Sequence, residues 1–244
     1  ALGILLRYPS AGVAGAAATF SRSVAFGRAS SGADSSAPVV SFFGAGNYAA
    51  RVLIPTFAEA GVRLRTLCNT GGVSGYHAAR RNQFENLTTD PEAVFQDNDT
   101  NIVVVATRHE SHSELVTAAL RAGKSVFVEK PLAINSTQLA AVESVWSQSA
   151  SGRQVLTVGF NRRYSPLAQR MKPLVDAVSE PKCIVYTVSA GAIAAGHWTQ
   201  DSESGGGRMV GEACHFADFM RWLVGARIDK WHAMAARQAD QVID

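Results

Sequence analysis

The chain has 244 residues, of which 47% are hydrophobic and 18% charged, and its formal net charge is +3. This apolar content is enough for one full domain and part or all of a second. The Arg and Lys residues are scattered rather than gathered in a stripe, so we do not expect nucleic acid as a partner. The sequence has no apolar run near the roughly 20 residues that cross a bilayer, so no membrane segment is predicted.

The three cysteines are Cys68, Cys183 and Cys214, and they lie far apart without a C-x-x-C spacing. This pattern is typical neither of a disulfide framework nor of a structural zinc site, so no metal is predicted. A reducing compartment, by default the cytoplasm, is the expected location.

The first 37 residues are set apart by their composition. Residues 1–33 are rich in Ala, Ser and Gly, with no acid before Asp34, as in a transit peptide. Against that interpretation, residues 3–8 (GILLRY) have the character of a strand and precede Pro9, which favours a fragment of a longer chain. Residues 21–37 predict a flexible linker, and we expect a domain boundary near Pro38.

From residue 39 onward, strand and helix patterns alternate. Residues 39–61 (VVSFFGAGNYAARVLIPTFAEAG) predict a strand, a glycine turn and a helix that is interrupted by Pro55 and closed by Gly61. Further strands are predicted at residues 62–68, 102–106, 125–128 and 155–160, and helices at 76–83, 111–122 and a short one after Asp90. This alternation predicts an α/β fold with a Rossmann-type, doubly wound parallel sheet over residues 38–160.

The glycine turn has the spacing of a dinucleotide-binding fingerprint. The segment G-A-G-N-Y-A runs through Gly44, Gly46, Asn47, Tyr48 and Ala49, between the first strand and its helix. There, the first glycine permits the tight turn, the second allows a pyrophosphate to approach, and the helix N-terminus favours the anion. The alternative is an ordinary strand-to-helix turn.

The choice between NAD and NADP stays open in the sequence. About 20 residues after the glycines, where NAD-specific folds carry an acid for the ribose, stand Cys68, Asn69 and Thr70. With no carboxylate there and with Arg80 and Arg81 close by in sequence, NADP is at least as plausible as NAD. The two arginines fit a solvated helix face equally well.

Three segments carry a resemblance to a known family. They are TRHESH at residues 107–112, AGKSVFVEKP at 122–131 and GGGRMVGEACHFAD at 205–218. In this order they resemble the Gfo/Idh/MocA oxidoreductases, in which a Rossmann domain precedes an open, mostly antiparallel sheet. FFGAGNYA at 42–49 and VGFNRRYSP at 158–166 look more closely like bi-domain members, in which the module follows a zinc-type alcohol dehydrogenase.

The narrower resemblance implies a domain division. Residues 1–37 would be the tail of an upstream module and a linker. Residues 161–244 would be the N-terminal part of an incomplete α+β substrate and oligomerisation domain, and the complete protein would form homo-oligomers.

The family resemblance also implies site residues. Lys130, joined to Pro131 by a cis bond, would point into the substrate site and polarise the substrate oxygen, while His215 would take its proton. Thr107, His112 and Glu129 would lie at the cofactor or substrate cleft. The family's acid stands four residues before the histidine, where this chain has Gly211, and the nearest acid is Glu212. Glu212 is therefore the third catalytic candidate, reaching the site from a displaced backbone, with a position facing the sheet as the alternative.

Further candidates for substrate binding follow these motifs. Arg162 and Arg163 suit a phosphate or carboxylate group, with an interdomain salt bridge as the alternative. His197 and Trp198 suit a polar contact and a stacking surface for a sugar ring, or else a core tryptophan with a capping histidine. Asp218 completes the third motif.

Together these features predict an NAD(P)-dependent dehydrogenase that acts on a hydroxyl carbon of a sugar, nucleotide sugar or cyclitol. The alternative is a cofactor-binding module without catalysis of its own, favoured by the displaced acid.

Overall fold

The computed structural model describes residues 21–27, 37–149 and 153–234. In this part of the chain one seven-stranded sheet has the order β1-β4-β3-β2-β5-β6-β7. Its strands are β1 Ser23–Ala25, β2 Val39–Phe43, β3 Arg63–Cys68, β4 Asn86–Thr88, β5 Ile102–Val105, β6 Ser125–Val128 and β7 Leu156–Val158. The helices are α1 Ile54–Glu59, α2 Gly72–Arg81, α3 Glu92–Phe95, α4 His112–Arg121, α5 Ser136–Gln148, α6 Pro166–Asp176 and α7 Cys214–Val224.

The sheet reverses its direction of growth at β2. This strand pairs in parallel with β3 on one side and with β5 on the other, and β6 and β7 extend the sheet beyond β5. In a doubly wound sheet, such a reversal opens a crevice at the carboxyl ends of the two central strands. The predicted Rossmann-type architecture is confirmed, and it places the glycine turn at that crevice.

Helices cover both faces of the sheet, as the continuous apolar strands predict. All five residues of β2 are buried, because alternate side chains enter the two cores. Phe42 packs with Ile54 and Phe84 on one face, while Phe43 packs with Val116 and Val142 on the other.

Most predicted elements are found, with shifted ends. The helix predicted at residues 76–83 begins earlier, at Gly72, and Asp90 Oδ1 accepts the Glu92 N–H at 3.3 Å just before α3. A π-helical turn at Ala49–Leu53 stands ahead of α1. A proline clashes with the carbonyl four residues before it in a regular helix, and the wider turn relieves this at Pro55.

The linker prediction for residues 21–37 is wrong at its beginning. Ser23–Ala25 forms β1, which pairs antiparallel with β4, and the Ser23 and Thr88 hydroxyls lie 2.8 Å apart. The sequence does not predict this strand, because an edge strand with exposed side chains does not need alternating apolar and polar residues. The expectations for residues 1–9 lie outside the described residues.

Residues 161–234 add helices α6 and α7, which meet around Ala168, Phe219 and Leu223. No strand occurs in that range, so the open sheet expected for a second domain is not seen there. The apolar run at residues 183–189 has no partner strand in the described residues, and a strand needs one to satisfy its backbone groups. None of the described helices is long and apolar enough to cross a membrane.

Candidate functional site

The two glycines of the turn serve different needs. Gly44 has φ +88°, and a Cβ there would lie 2.7 Å from the Ala106 carbonyl oxygen, so the chain itself requires glycine. A Cβ on Gly46 would meet nothing within 4 Å. The fold would accept a side chain at position 46, so glycine is explained there by a ligand that passes close to the backbone.

Two cavities adjoin this turn, and Thr107 lines both. We call them the Lys130 cavity, of about 400 Å³, and the Cys68 cavity, of about 410 Å³. The predicted residues lining the Lys130 cavity are Gly46, Asn47, Tyr48, Thr107, His112, Glu129, Lys130, Trp198 and His215. Those lining the Cys68 cavity are Gly44, Asn69, Thr70 and Thr107.

Lys130 enters its cavity from the carboxyl end of β6. The bond to Pro131 is cis, as the resemblance implies. The Nζ group donates a hydrogen bond of 2.6 Å to the carbonyl oxygen of Gly211, the residue in the place of the family's acid. An ammonium group has three donors, so two remain for a ligand.

His215 reaches the same cavity from the first turn of α7. The side chain is buried, and its Nδ1 has no hydrogen-bond partner among the described residues. Burial, followed by the charges of Lys130 and Arg162, lowers the pKa of His215 to about 4. An unperturbed histidine titrates near pH 6.5, so this imidazole is neutral at pH 7.

Glu129 lies beside Lys130 with its Oε1 buried and without a partner in the described residues. Burial raises the pKa of this carboxyl group. Gly159 leaves room for it, because a Cβ there would lie 2.7 Å from Oε1. An orphaned acceptor at a cavity wall suits a donor group on a bound molecule.

His112 lines the cavity but is held by the fold. Its side chain is fully buried, with Nδ1 2.7 Å from the Pro131 carbonyl oxygen and Nε2 3.1 Å from that of Thr107. Burial lowers its pKa. A neutral imidazole has one N–H, and the shorter distance assigns it to Nδ1, so His112 at the start of α4 donates to the Lys130–Pro131 turn and positions Lys130.

Arg163 and Asp218, both predicted to bind substrate, bind each other instead. Their guanidinium and carboxylate groups form two hydrogen bonds, one of them 2.6 Å from Nε to Oδ2. The carboxylate raises the pKa of Arg163. Arg162 lies over the Phe216 ring, 4.9 Å from its centroid. None of these three residues lines the Lys130 cavity, and the salt bridge of Arg163 is formed within residues 161–244 rather than between domains.

Glu212 and His197 also lie off the cavity lining. The carboxylate of Glu212 is 3.5 Å from Arg208, and its side chain is 42% exposed. Positions 211 and 212 lie in the π-helical turn Met209–Ala213, where successive side chains point in different directions, so an acid at position 212 does not take the direction of one at position 211. His197 caps the turn Trp198–Gln200 by accepting the Thr199 N–H.

Two polar residues of the Lys130 cavity lining were not predicted as site residues. Asn161 donates a 3.0 Å hydrogen bond to the Tyr48 hydroxyl across the cavity mouth. His109 stands in the turn before α4, buried against Trp198 with ring centroids 4.8 Å apart. Its position four residues after the end of β5 was the signal that pointed to it.

The Cys68 cavity is acidic. Glu92 and Glu114 line it, and no Lys or Arg is found among its described lining residues. Arg80 donates to the Tyr76 hydroxyl at 3.3 Å, and Arg81 lines a different cavity. Burial raises the pKa of the Cys68 thiol to about 12, so it stays protonated.

The family model of the Gfo/Idh/MocA group, described as an oxidoreductase family with an NAD-binding Rossmann fold, matches residues 39–160. This match covers half of the chain. The chain belongs to the Gfo/Idh/MocA family of oxidoreductases. Its glycine turn and both cavities therefore belong, at least in part, to an NAD-binding Rossmann fold.

Several relatives from this family are dehydrogenases. Inositol 2-dehydrogenase 2 of Saccharopolyspora erythraea is 30% identical over 71% of this chain and 49% of its own. Inositol 2-dehydrogenase/D-chiro-inositol 3-dehydrogenase of Lactiplantibacillus plantarum is 32% identical over 62% of this chain and 39% of its own. The chain thus spans about half or less of these relatives.

Among solved structures, levoglucosan dehydrogenase in complex with NADH and L-sorbose is 27% identical, with a TM-score of 0.65. The similarity covers 77% of this chain and 53% of that one. It agrees with the Rossmann-type fold of the Gfo/Idh/MocA family.

Proposed function

We propose that this chain is part of an NAD-dependent dehydrogenase that acts on a hydroxyl carbon of a sugar or cyclitol. The observation that carries the proposal is the convergence of Lys130 and His215 on one cavity beside the glycine turn. One residue comes from the end of β6 and the other from α7, 85 positions away in sequence. The relatives that act on inositol and levoglucosan support the substrate class.

The residues present fit a dinucleotide. The backbone at Gly46 leaves room for the pyrophosphate next to the helix that starts after the turn, and the two cavities leave room for its two halves. Asn69 and Thr70 would contact the adenosine half, while Asn47, Tyr48, Thr107 and Glu129 would contact the nicotinamide half. When bound, the nicotinamide would supply the hydride acceptor or donor.

Lys130 and His215 then have separate tasks. The two free donors of Lys130 would hold and polarise the substrate oxygen, while its third stays on Gly211. His215 is neutral above about pH 4, so it can take the hydroxyl proton at physiological pH. His112 would hold Lys130 in place rather than contact substrate.

We infer that NAD is favoured over NADP. A 2′-phosphate placed in the Cys68 cavity would face Glu92 and Glu114 without a cation on the described lining. Like charges in a partly enclosed site repel more strongly than in water. The positions of the two arginines support this inference, because Arg80 donates to Tyr76 and Arg81 lines a different cavity.

The proposed function is tested first by fluorescence titration with NADH and NADPH. We expect saturable binding of NADH and weaker binding of NADPH. Glu92→Lys should reduce the difference between the two affinities. Glu143→Lys, on the exposed face of α5, makes the same charge change away from the cavity and serves as control. Failure to bind either cofactor would remove the proposal.

Catalysis is tested with Lys130→Ala and His215→Ala in the complete natural protein, on a panel that includes myo-inositol and levoglucosan. We expect each variant to lose turnover by about 10²-fold or more with NADH affinity retained. Lys182→Ala and His77→Ala change exposed residues and are the matched controls. Undiminished turnover in both site variants would refute the assigned roles.

A second function, cofactor binding without catalysis, is favoured by one observation. The acid of the third motif is absent from the cavity, since Gly211 takes its position and Glu212 points to Arg208. NADH binding by the complete protein without turnover of any polyol in the panel would favour this alternative.

Three further expectations stay predictions. They are the bi-domain arrangement with an upstream alcohol dehydrogenase module, the homo-oligomer and the cytoplasmic location. Sedimentation of the complete protein and localisation of a tagged copy would test the last two.

A further inference from the structure

His109 occupies the space that an acid at position 211 would need. A Cβ on Gly211 would lie 3.1 Å from the Cε1 atom of His109. The imidazole is buried between the rings of Trp198 and His112, and it lines the Lys130 cavity. The Rossmann part of the chain therefore supplies a polar ring where the third motif lacks its carboxylate.

The hydrogen bond of His109 fixes its tautomer. Its Nδ1 lies 2.8 Å from the Gly205 carbonyl oxygen, and a carbonyl oxygen can only accept, so Nδ1 carries a proton. Burial, opposed in part by this bond, lowers the pKa of His109, with His112 and Lys130 adding to the lowering. The ring is therefore neutral near pH 7, and Nε2 has a free lone pair.

The Nε2 atom is accessible from the cavity. Among the described residues, the buried side-chain nitrogen and oxygen atoms that lack a hydrogen-bond partner are Glu129 Oε1 and His215 Nδ1. His109 Nε2 is not one of them, so this atom is not fully buried. It also makes no hydrogen bond to any other described residue. A lone pair that lines a cavity and is not used by the fold is available to a ligand.

The ring is held firmly in this orientation. Gly205 sits in a loop in which Asp201 Oδ1 accepts the N–H groups of Glu203 and Ser204, and the Gly205 N–H bonds to the Asp201 carbonyl oxygen. The Glu110 N–H donates to the Ser204 carbonyl oxygen at 3.2 Å, which joins the loop to the turn that carries His109. The acceptor is thus set before any ligand binds.

We propose that His109 Nε2 binds substrate by accepting a hydrogen bond from a second hydroxyl group, next to the one handled by Lys130 and His215. Two neutral imidazoles that accept and one ammonium that donates suit a neutral vicinal diol, whose hydroxyls donate and accept. A carboxylate or phosphate cannot donate to them at neutral pH. Of the two arginines suited to such groups, Arg163 is paired with Asp218, and Arg162 lies over the Phe216 ring, off the cavity lining. This inference rests on the proposed function and narrows its substrates to uncharged polyols.

Two variants separate substrate binding from loop support. His109→Asn retains a donor near the Nδ1 position for Gly205 but removes the acceptor at Nε2. His109→Gln places an amide oxygen near the Nε2 position but loses the hydrogen bond that Nδ1 donates to Gly205. We expect the Asn variant to lose about tenfold in kcat/KM on the polyol that the unsubstituted protein turns over, and the Gln variant to lose less.

The deciding measurement repeats the assay with a monodeoxy analogue that lacks the neighbouring hydroxyl. The Asn variant and the unsubstituted protein should then have kcat/KM values within about twofold of each other, with equal NADH affinity. If the loss persists with the deoxy substrate, or if the Asn variant matches the unsubstituted protein on the diol, the role of His109 is refuted and the proposed function stands. If the unsubstituted protein turns over no polyol, both fall together.

Discussion

At the scale of single residues, the two glycines of the turn give a matched test. Gly44→Ala places a Cβ against the Ala106 carbonyl at positive φ, so it should lower the free energy of unfolding by about 1–3 kcal/mol. Gly46→Ala adds a methyl group to open space, so the melting temperature should stay within about 1 °C of the unsubstituted protein. NADH affinity should nevertheless fall by about tenfold or more. Unchanged affinity in Gly46→Ala would mean that the dinucleotide does not pass over this residue.

Single residues were predictable where a local motif fixes them. Gly44, Gly46 and Lys130 follow strand ends in sequence, so a pattern a few residues long places them. The partners of Arg163 and Glu212 were not predictable in this way. A long charged side chain takes whichever counterion the tertiary fold brings near, and Asp218 stands 55 residues from Arg163.

At the scale of elements, β1 makes a prediction of its own. The Phe26 N–H donates to the Glu85 carbonyl and the Thr89 N–H to that of Arg22, each at 2.9 Å. Both amides should exchange with solvent at least about tenfold more slowly than that of Val188, which lies outside helices and strands. Hydrogen exchange followed by NMR measures all three. Equal exchange rates for the three amides would mean that residues 21–27 are a flexible linker, as their composition suggests.

The difference between β1 and β5 shows which elements a sequence announces. β5 is a run of Val and Ile that is buried on both faces, so its apolar character is required by its place in the sheet. β1 lies at the edge of the sheet with exposed side chains, and it is held by backbone hydrogen bonds to β4. Backbone hydrogen bonds do not depend on residue type, so the composition of this segment does not indicate a strand. The π-helical turn at Met209–Ala213 is similarly hidden, although it sets the direction of both Gly211 and Glu212.

At the scale of the whole molecule, the site is a consequence of strand order. The reversal at β2 brings the ends of β2, β5 and β6 to one edge, and these ends carry the glycine turn, Thr107 and Lys130. His215 reaches the same edge from α7, a helix that follows the sheet in the sequence. The sequence predicted the edge from its alternating pattern, whereas the contribution of α7 was reached only through the family resemblance.

The three buried histidines make the stability of the whole molecule depend on pH. His109, His112 and His215 each have a folded-state pKa below the value of about 6.5 expected for the unfolded chain. As the pH falls below about 6.5, the unfolded chain takes up protons that the folded chain refuses, so the free energy of unfolding decreases. The loss from His215 continues down to about pH 4, its folded-state pKa. Each histidine contributes at most about 1.4 kcal/mol per pH unit.

We therefore expect the urea midpoint to be lower at pH 5.0 than at pH 7.5, and His215→Gln to make the difference smaller. Glu129 acts in the opposite direction, because its raised pKa favours protonation of the folded chain. The pKa values of Glu85 and Asp97 are lowered in the folded chain, so these carboxylates stabilise it at neutral pH. That stabilisation is lost mainly below their unfolded-state pKa values near 4, outside this range. His77→Gln, which changes an exposed residue, should leave the difference unaltered. If His215→Gln leaves the difference between the two pH values as large as in the unsubstituted protein, His215 is not held neutral in the fold, and its assignment as a proton acceptor at neutral pH loses its basis.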